Sequence, residues 1–260
     1  MPTKIEWTRR PGGPRGQTWN PWWGCDKIAK ECDHCYAAAL ASRRLPAGPK
    51  GTAAKGEWTG TIARNSPPVW ADPLKWPAGT LVFTCSMSDF WHEDVPLAWL
   101  DEALAVIEST PLTYQILTKR VGNIARRLAA LNRRLPANVW IGATIGHPQS
   151  LPLLKPLRRI EASVRFLSVE PLLAPMVPGL DLVGIRWVIA GGESGPKARP
   201  CHPDWVRAVR DLCVTGGIAF FFKQWGKWAN NPVPREHDLD PDAKGGATLD
   251  GRLWRAFPAR

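Results

Sequence analysis

Six short runs of apolar, β-branched or aromatic residues recur along the chain from Thr80 onward, and they constrain the fold more than any other feature of the sequence. The runs lie at 81–84, 114–117, 139–142, 164–169, 187–190 and 218–222. Their starts are roughly 22 to 33 residues apart, which is the length of one strand–helix unit. The runs are apolar throughout rather than alternating, as is typical of parallel strands covered on both faces. The pattern therefore predicts an α/β fold with a parallel sheet.

Helical patterns separate most of these runs. Apolar residues fall on one helical stripe in three segments, which are 97–107, 124–135 and 206–213. The first helix is expected to end near Ser109. The third is expected to begin after Pro203-Asp204 and to stop at Gly216-Gly217, because glycine is typical of a helix end. The segment 171–186 is proline-rich and weakly patterned, which predicts a short or missing helix.

Together these elements predict an open (β/α) barrel of six or seven strands. Residues 1–79 add a short strand at 18–20, a cysteine-rich loop near 25–35 and a helix from Tyr36 to Arg44. We expect the partial barrel to cover residues 1–228, with an irregular insertion at 46–78. A C-terminal extension with loose ends is expected at 229–260.

Polar residues follow these strands repeatedly, at the carboxyl ends where (β/α) barrels carry their chemistry. They are Ser86, Ser88, Asp89, Thr118, Lys119, Thr144, Glu170, Glu193, Ser194, Lys223 and Gln224. Each of them alone is compatible with a salt-bridged loop. Their recurrence after six strands predicts a functional site. His92 beside Glu93 and Asp94 is expected in a solvated loop, with an acid/base role as the alternative.

Three of the six cysteines lie within eleven residues, at Cys25, Cys32 and Cys35, with the spacing C-x6-C-x2-C. Three neighbouring thiolates repel one another unless protons or a metal neutralise them. Structural zinc needs a fourth ligand, for which His34, Cys85, Cys201 and His202 are candidates. An iron–sulfur cube held by three thiolates leaves one iron open. Three reduced cysteines without a metal are the third interpretation.

The charge balance favours polyanionic partners. The chain has 34 basic and 23 acidic residues, a formal net charge of +11, which attracts nucleic acid or phosphorylated substrates. A genomic bias toward arginine is the alternative explanation. No apolar run is long enough to span a membrane, and the first residues lack the apolar stretch of a secretory signal. We therefore expect a cytoplasmic protein with no membrane partner; no pattern specifies an oligomeric state.

The motifs together carry a resemblance to known families. The segment Cys32-Asp33-His34-Cys35-Tyr36 resembles the cysteine loop of radical S-adenosylmethionine (SAM) enzymes, although the first spacing is longer than in most of them. Over residues 5–228 the chain is similar to the phage Gp37/Gp68-type three-Cys-motif proteins. The motifs that carry this similarity are TWNPWWGC (18–25), CDHCYA (32–37), SMSDFWHEDVP (86–96), LTKR (117–120), SVEPLL (168–173), GGESG (191–195) and FFKQWG (221–226).

The resemblance implies a radical-SAM-like partial TIM barrel with a [4Fe–4S] cluster on Cys25, Cys32 and Cys35. SAM would bind the fourth iron, and an external electron donor would reduce the cluster. The activity implied is reductive cleavage of SAM to a 5′-deoxyadenosyl radical, with a nucleic acid (DNA or RNA) or nucleotide as the substrate for modification or repair.

The resemblance also implies a set of SAM-binding residues. Ser86, Ser88 and Asp89 are candidates for the amino group, Lys119 or Lys223 for the carboxylate, Glu170 or Glu193 for the ribose hydroxyls, Gly191-Gly192 for close backbone approach, and Thr144 as a further contact. The alternatives are an ion pair for Lys119 and Glu170 and a plain tight turn for the two glycines. Trp19, Trp22 and Trp23 flank the cysteine loop and are expected to shield it, with base stacking as the alternative.

Two other functions are weighed against the radical enzyme. One is a nucleic-acid-binding protein whose cysteine loop holds structural zinc or a non-catalytic cluster. The other is a metal-independent barrel hydrolase, for which the sequence has neither a G-x-S-x-G nor an H-E-x-x-H motif.

Overall fold

The chain alternates strands and helices in a computed structural model that describes residues 3–43 and 49–259. The strands are β1 (Gln17–Trp19), β2 (Trp22–Trp23), β3 (Ala53–Ala54), β4 (Glu57–Trp58), β5 (Ala63–Arg64), β6 (Leu81–Thr84), β7 (Thr113–Thr118), β8 (Val139–Thr144), β9 (Val164–Val169), β10 (Trp187–Gly191) and β11 (Ala219–Gln224). The α-helices are α1 (Tyr36–Arg43), α2 (Pro67–Ala71), α3 (Leu97–Glu108), α4 (Val121–Ala130), α5 (Leu154–Arg158) and α6 (Pro203–Thr215). The predicted helix end at Arg44 and the first residues of the predicted insertion, 46–48, lie outside the described residues.

Among the described residues, seven strands hydrogen-bond into one sheet, in the order β1, β6, β7, β8, β9, β10, β11. The pairs β1–β6, β6–β7, β9–β10 and β10–β11 are parallel. Strands β6 to β11 are the six predicted apolar runs, and β1 covers most of the strand predicted at 18–20. Because consecutive parallel strands are neighbours, as in (β/α) barrels, the predicted α/β fold of the partial-barrel type is confirmed.

By their internal contacts the described residues divide into two compact units. Unit 1 draws its residues from Met1–Ile28, Cys35–Gly142 and Arg159–Ser163. Unit 2 draws its residues from Ala29–His34, Ala143–Arg158 and Val164–Arg260. The cysteine loop at 25–35 therefore contributes residues to both units.

Unit 1 has an aromatic core next to the start of the cysteine loop. Trp19 packs edge-on against Tyr114, with 5.9 Å between ring centroids, and Trp22 lies 5.2 Å from Phe90. Trp19, Trp22 and Trp23 are all buried. Because these three rings are buried, none of the three offers an open face for base stacking.

The helices of unit 1 follow their apolar stripes in part. Helix α3 buries Leu100, Leu104 and Ile107, as its spacing predicts, but Leu97 at its first position is 41% exposed. Helix α4 ends at Ala130, so the prediction that it continues to Leu135 is wrong. Asn132 takes a left-handed backbone conformation with φ of +50°, which interrupts the helix before the apolar stripe is complete.

Unit 2 is built on β9, β10 and β11. Trp187 of β10 lies 5.6 Å from Phe166 of β9 and stacks on Phe257 near the C-terminus, at 5.3 Å. Phe222 of β11 donates its backbone N–H to the Trp254 carbonyl at 2.8 Å. The C-terminal segment therefore packs along the edge strand, and the expectation of loose ends is wrong for the described residues of 229–259.

The remaining helix predictions hold in unit 2. Helix α6 begins at Pro203, where the His202 side chain accepts a hydrogen bond from the Asp204 amide, and it ends before Gly216. Residues 171–186 are all described and contain no helix, as their composition predicts. In unit 1, the described part of the predicted insertion, 49–78, contains only the short elements β3, β4, β5, α2 and a 3-10 helix at Asp72–Lys75.

Candidate functional site

The six cysteines fall into two groups by exposure. All six lie within the described residues and are free of disulfides; Cys25, Cys32 and Cys35 are partly exposed, whereas the other three are buried. Cys25 and Cys35 belong to unit 1 and Cys32 to unit 2. In the described part of the chain, no group of three or more His, Cys, Asp or Glu side chains could hold a metal ion.

The start of the cysteine loop is tied to the segment after β6. Gly24 donates its backbone N–H to the Met87 carbonyl at 3.1 Å and accepts a hydrogen bond from the Ser88 hydroxyl at 2.7 Å. Asn20 Oδ1 accepts from the Met87 amide at 2.9 Å and from the Ser86 hydroxyl at 3.3 Å. Ser88 therefore lies beside Gly24, the residue that precedes Cys25, whereas Ser86 contacts Asn20; both hydroxyls donate to groups of unit 1.

Asp89 holds together the ends of β6 and β7. Its carboxylate accepts hydrogen bonds from the Thr118 hydroxyl at 2.7 Å, the Trp91 amide at 3.0 Å and the Lys119 amide at 3.2 Å. Burial raises the pKa of Asp89, and these hydrogen bonds offset part of the rise. The structure thus brings Asp89 and Lys119 together, through the backbone of Lys119.

Arg120 in unit 1 is not among the predicted site residues, yet it contacts Cys25. Its guanidinium reaches Cys25 Sγ at 3.6 Å from Nη1 and Glu93 Oε2 at 2.9 Å from Nε, and it also pairs with Asp26 and Asp89. Arg120 is the last residue of the motif LTKR at 117–120. The motif places an arginine directly after a strand, but nothing in the sequence indicates which side chains that arginine contacts.

His92 does not lie in a solvated loop, and that prediction is wrong. The residue is 1% exposed. Its Nε2 atom lies 2.8 Å from Asp26 Oδ1, and its Nδ1 atom accepts from the Asp94 amide at 3.1 Å. The buried ring thereby fixes the segment that follows Cys25.

Glu31 anchors the middle of the cysteine loop in unit 2, and no sequence pattern pointed to it. Its Oε1 atom accepts from the Gly146 amide at 2.8 Å, the His147 amide at 3.1 Å and the Ser150 hydroxyl at 2.7 Å. The residue is 5% exposed. The short 3-10 turn Lys30–Cys32 is therefore held on the segment after β8.

Glu170 and Lys223 form an ion pair at the ends of β9 and β11. Lys223 Nζ lies 2.9 Å from Glu170 Oε1, and the Gln224 side-chain amide donates to the same oxygen at 3.3 Å. A Cβ on Gly191 would lie 3.3 Å from the Glu170 carboxylate carbon. The structure thus brings together four predicted residues, Glu170, Gly191, Lys223 and Gln224, while Thr144 is buried in its strand.

Glu193 has a separate set of partners. Arg199 contacts both carboxylate oxygens, at 2.5 Å and 2.9 Å, and His34 Nδ1 lies 2.9 Å from Oε2. Burial alone raises the pKa of Glu193, but the hydrogen bonds from Arg199 and His34 outweigh it and hold the pKa below its ordinary value. Gly192 packs against the backbone of Trp225.

These features define an α/β protein of the partial (β/α)-barrel class, with polar side chains after its strands. No described helix has the length and hydropathy to cross a membrane. The chain belongs to the family described as "Protein of unknown function (DUF5131)", whose model matches residues 2–258. A comparison with curated proteins found no match.

Similar solved structures include two of spore photoproduct lyase. A cysteine-to-alanine mutant is 13% identical, with 71% of this chain and 57% of that chain covered and a TM-score of 0.44. The same kind of mutant with dinucleoside spore photoproduct is 13% identical, with 78% and 62% covered and a TM-score of 0.45. The chain thus spans about three fifths of the length of these proteins.

Proposed function

We propose that the protein is an iron–sulfur enzyme of the radical SAM type that acts on a nucleic acid or nucleotide, in modification or repair. The observation that carries this proposal is the set of three partly exposed cysteines in one short loop. The motifs shared with the phage Gp37/Gp68-type proteins and the net charge of +11 support it.

The chemistry of the cysteines fits an iron–sulfur cluster. Thiolates are the form that binds iron. Burial raises the pKa of Cys201 and Cys213 to about 12. Burial, followed by the charges of Asp89 and Cys25, raises the pKa of Cys85 well above its ordinary value. Burial thus disfavours the thiolate form of these three cysteines, and we propose Cys25, Cys32 and Cys35 as the ligands.

The contribution of the protein is to hold the cysteines and to orient the cofactor. A cluster held by Cys25, Cys32 and Cys35 would supply the electron for the reductive cleavage of SAM. Within unit 1, Ser86, Ser88 and Asp89 support the start of the cysteine loop. Within unit 2, the pair of Glu170 and Lys223 presents one negative and one positive group, which suit the ribose hydroxyls and the carboxylate of SAM.

The test is anaerobic purification and reconstitution of the wild-type protein, Cys32→Ala and Cys213→Ala. We expect the wild type and Cys213→Ala to be brown, to carry iron and sulfide, and to form 5′-deoxyadenosine from SAM and dithionite. Cys32→Ala should lose the colour and the product, because it removes a ligand. Cys213→Ala is the matched control, since this thiol is buried on helix α6.

Two outcomes would contradict the proposal. A colourless wild-type protein with stoichiometric zinc would favour the structural-zinc alternative. Full iron content in Cys32→Ala would show that the ligand assignment is wrong.

A further inference from the structure

Arg120 connects Cys25 to a ring of carboxylates. Its Nη1 atom lies 3.6 Å from Cys25 Sγ and 3.6 Å from Asp89 Oδ2. Its Nε atom lies 2.9 Å from Glu93 Oε2, and its Nη2 atom pairs with Asp26. One guanidinium therefore faces one sulfur and three acidic side chains.

The position of this guanidinium is set by its surroundings. The Arg120 side chain is 5% exposed. Its backbone amide donates to the Thr118 hydroxyl at 2.8 Å, and that hydroxyl in turn donates to Asp89. Asn123 also donates to Glu93 Oε2, at 3.0 Å. Because these hydrogen bonds already hold the Arg120 side chain in one conformation, it loses little further conformational entropy when Cys25 becomes negatively charged.

The charges around Cys25 give Arg120 an electrostatic role. Without the guanidinium, a negative sulfur at Cys25 would share its surroundings with the carboxylates that Arg120 now pairs with, Asp26, Asp89 and Glu93, and like charges repel. A cluster on this sulfur becomes more negative when it accepts an electron. The positive charge of Arg120 favours that reduced state, and the three carboxylates oppose it.

We propose that Arg120 is a positioning residue for Cys25, which holds the sulfur in place and raises the reduction potential of the cluster bound there. The inference rests on the proposed function, because it requires a cluster on Cys25. In this proposal the carboxylates of Asp26, Asp89 and Glu93 hold the Arg120 guanidinium in position.

The test uses anaerobically reconstituted protein and an EPR-monitored redox titration, with iron and sulfide measured per chain. Arg120→Gln removes the charge beside Cys25. Arg126→Gln is the matched control, because Arg126 is exposed on helix α4. We expect Arg120→Gln to lower the equilibrium constant for one-electron reduction about tenfold, a shift of about 59 mV to lower potential. Arg126→Gln should keep the wild-type potential.

A second variant covers the case in which Arg120→Gln does not fold. Glu93 is half exposed, at 50%, so Glu93→Gln should fold, and it removes a negative charge from the same group. We expect it to shift the potential in the opposite direction, to higher values. A cluster whose potential responds to neither Arg120→Gln nor Glu93→Gln would overturn this inference alone. A wild-type protein that binds no iron would overturn the proposed function as well.

Discussion

Lys223 Nζ lies 2.9 Å from one carboxylate oxygen of Glu170 and 3.1 Å from the other, so the lysine bridges both oxygens. The two residues come from the ends of β9 and β11, the strands on either side of β10. Their side chains are 22% and 16% exposed. The pair is therefore only partly screened by water, and each charge depends on the other.

This dependence predicts non-additive stability effects in unit 2. Lys223→Met leaves the Glu170 carboxylate without its cation, and Glu170→Gln leaves the Lys223 ammonium without its anion. We expect each single variant to lower the free energy of unfolding by about 1 to 3 kcal/mol and the double variant to lose less than the sum. Urea unfolding of all four proteins measures the coupling. Strictly additive losses would show that the two charges are independently solvated.

Any side chain at position 192 would clash with the backbone of Trp225. A Cβ at this position would overlap the carbonyl oxygen of Trp225 and lie 2.7 Å from the carbonyl carbon. Because both obstacles are backbone atoms, the strand ends must shift, and we expect Gly192→Ala to cost about 1 to 3 kcal/mol of stability. The close approach predicted for this glycine is thus to the protein's own backbone.

Gly122 offers the matched control for this substitution. A Cβ there would meet nothing within 4 Å, and the residue lies inside helix α4. Gly122→Ala should raise the stability by up to about 1 kcal/mol, because alanine favours a helix over glycine. Thermal unfolding of both variants measures the two changes in stability. An equal change at the two positions would contradict the predicted clash at Gly192.

Glu31 predicts a link between the cysteine loop and the segment after β8. Glu31→Gln keeps an oxygen that can accept from Gly146, His147 and Ser150, whereas Glu31→Ala leaves these three donors without it. We expect Glu31→Ala to lose about 1 to 3 kcal/mol more stability than Glu31→Gln. Glu31→Ala should also retain less iron after reconstitution, since Cys32 is the next residue. Equal iron content in both variants would show that the anchor does not matter for the cysteine loop.

Asp238 predicts a pH dependence of stability. Burial raises its pKa, but hydrogen bonds from the Asn231 side chain and from the amides of Asp240, Ala247 and Thr248 outweigh it and hold the pKa below the ordinary 3.8. The unfolded state therefore binds a proton more readily than the folded state. The stabilisation is complete above the unfolded pKa and is lost as the pH falls through the folded pKa.

The variant Asp238→Asn removes this contribution. We expect the stability difference between wild type and Asp238→Asn to be constant above about pH 5 and to narrow toward acidic pH. Asp242→Asn, an exposed site in the same segment, serves as the control and should follow the wild-type curve. Denaturant titrations at several pH values give the two curves. A difference that widens in acid would contradict the sign of the shift.

Sequence patterns predicted most of the strands, because whether a segment forms a strand depends largely on the residues within that segment. Each apolar run from Leu81 to Phe222 forms a strand at or within a few residues of its predicted bounds. Helix α4 shows where this approach fails. The apolar stripe continues to Leu135, but the left-handed backbone at Asn132 ends the helix first.

The side-chain contacts of the candidate site could not be predicted from such local patterns. Arg120 and Cys25 are 95 residues apart in the chain, and Glu31 and Gly146 are 115 residues apart. His92 was expected to be solvated because its neighbours in sequence are acidic, yet it is buried against Asp26. Partners of this kind follow from the order of strands and not from any spacing along the chain.

The sequence by itself determined the positions of the strands and the class of the fold, because periodicity acts locally. Only the tertiary structure decided which carboxylate each cation neutralises and which cysteines are buried. The physical reason is that a charge or a thiol acquires its partner, and its degree of solvation, only when distant segments pack together.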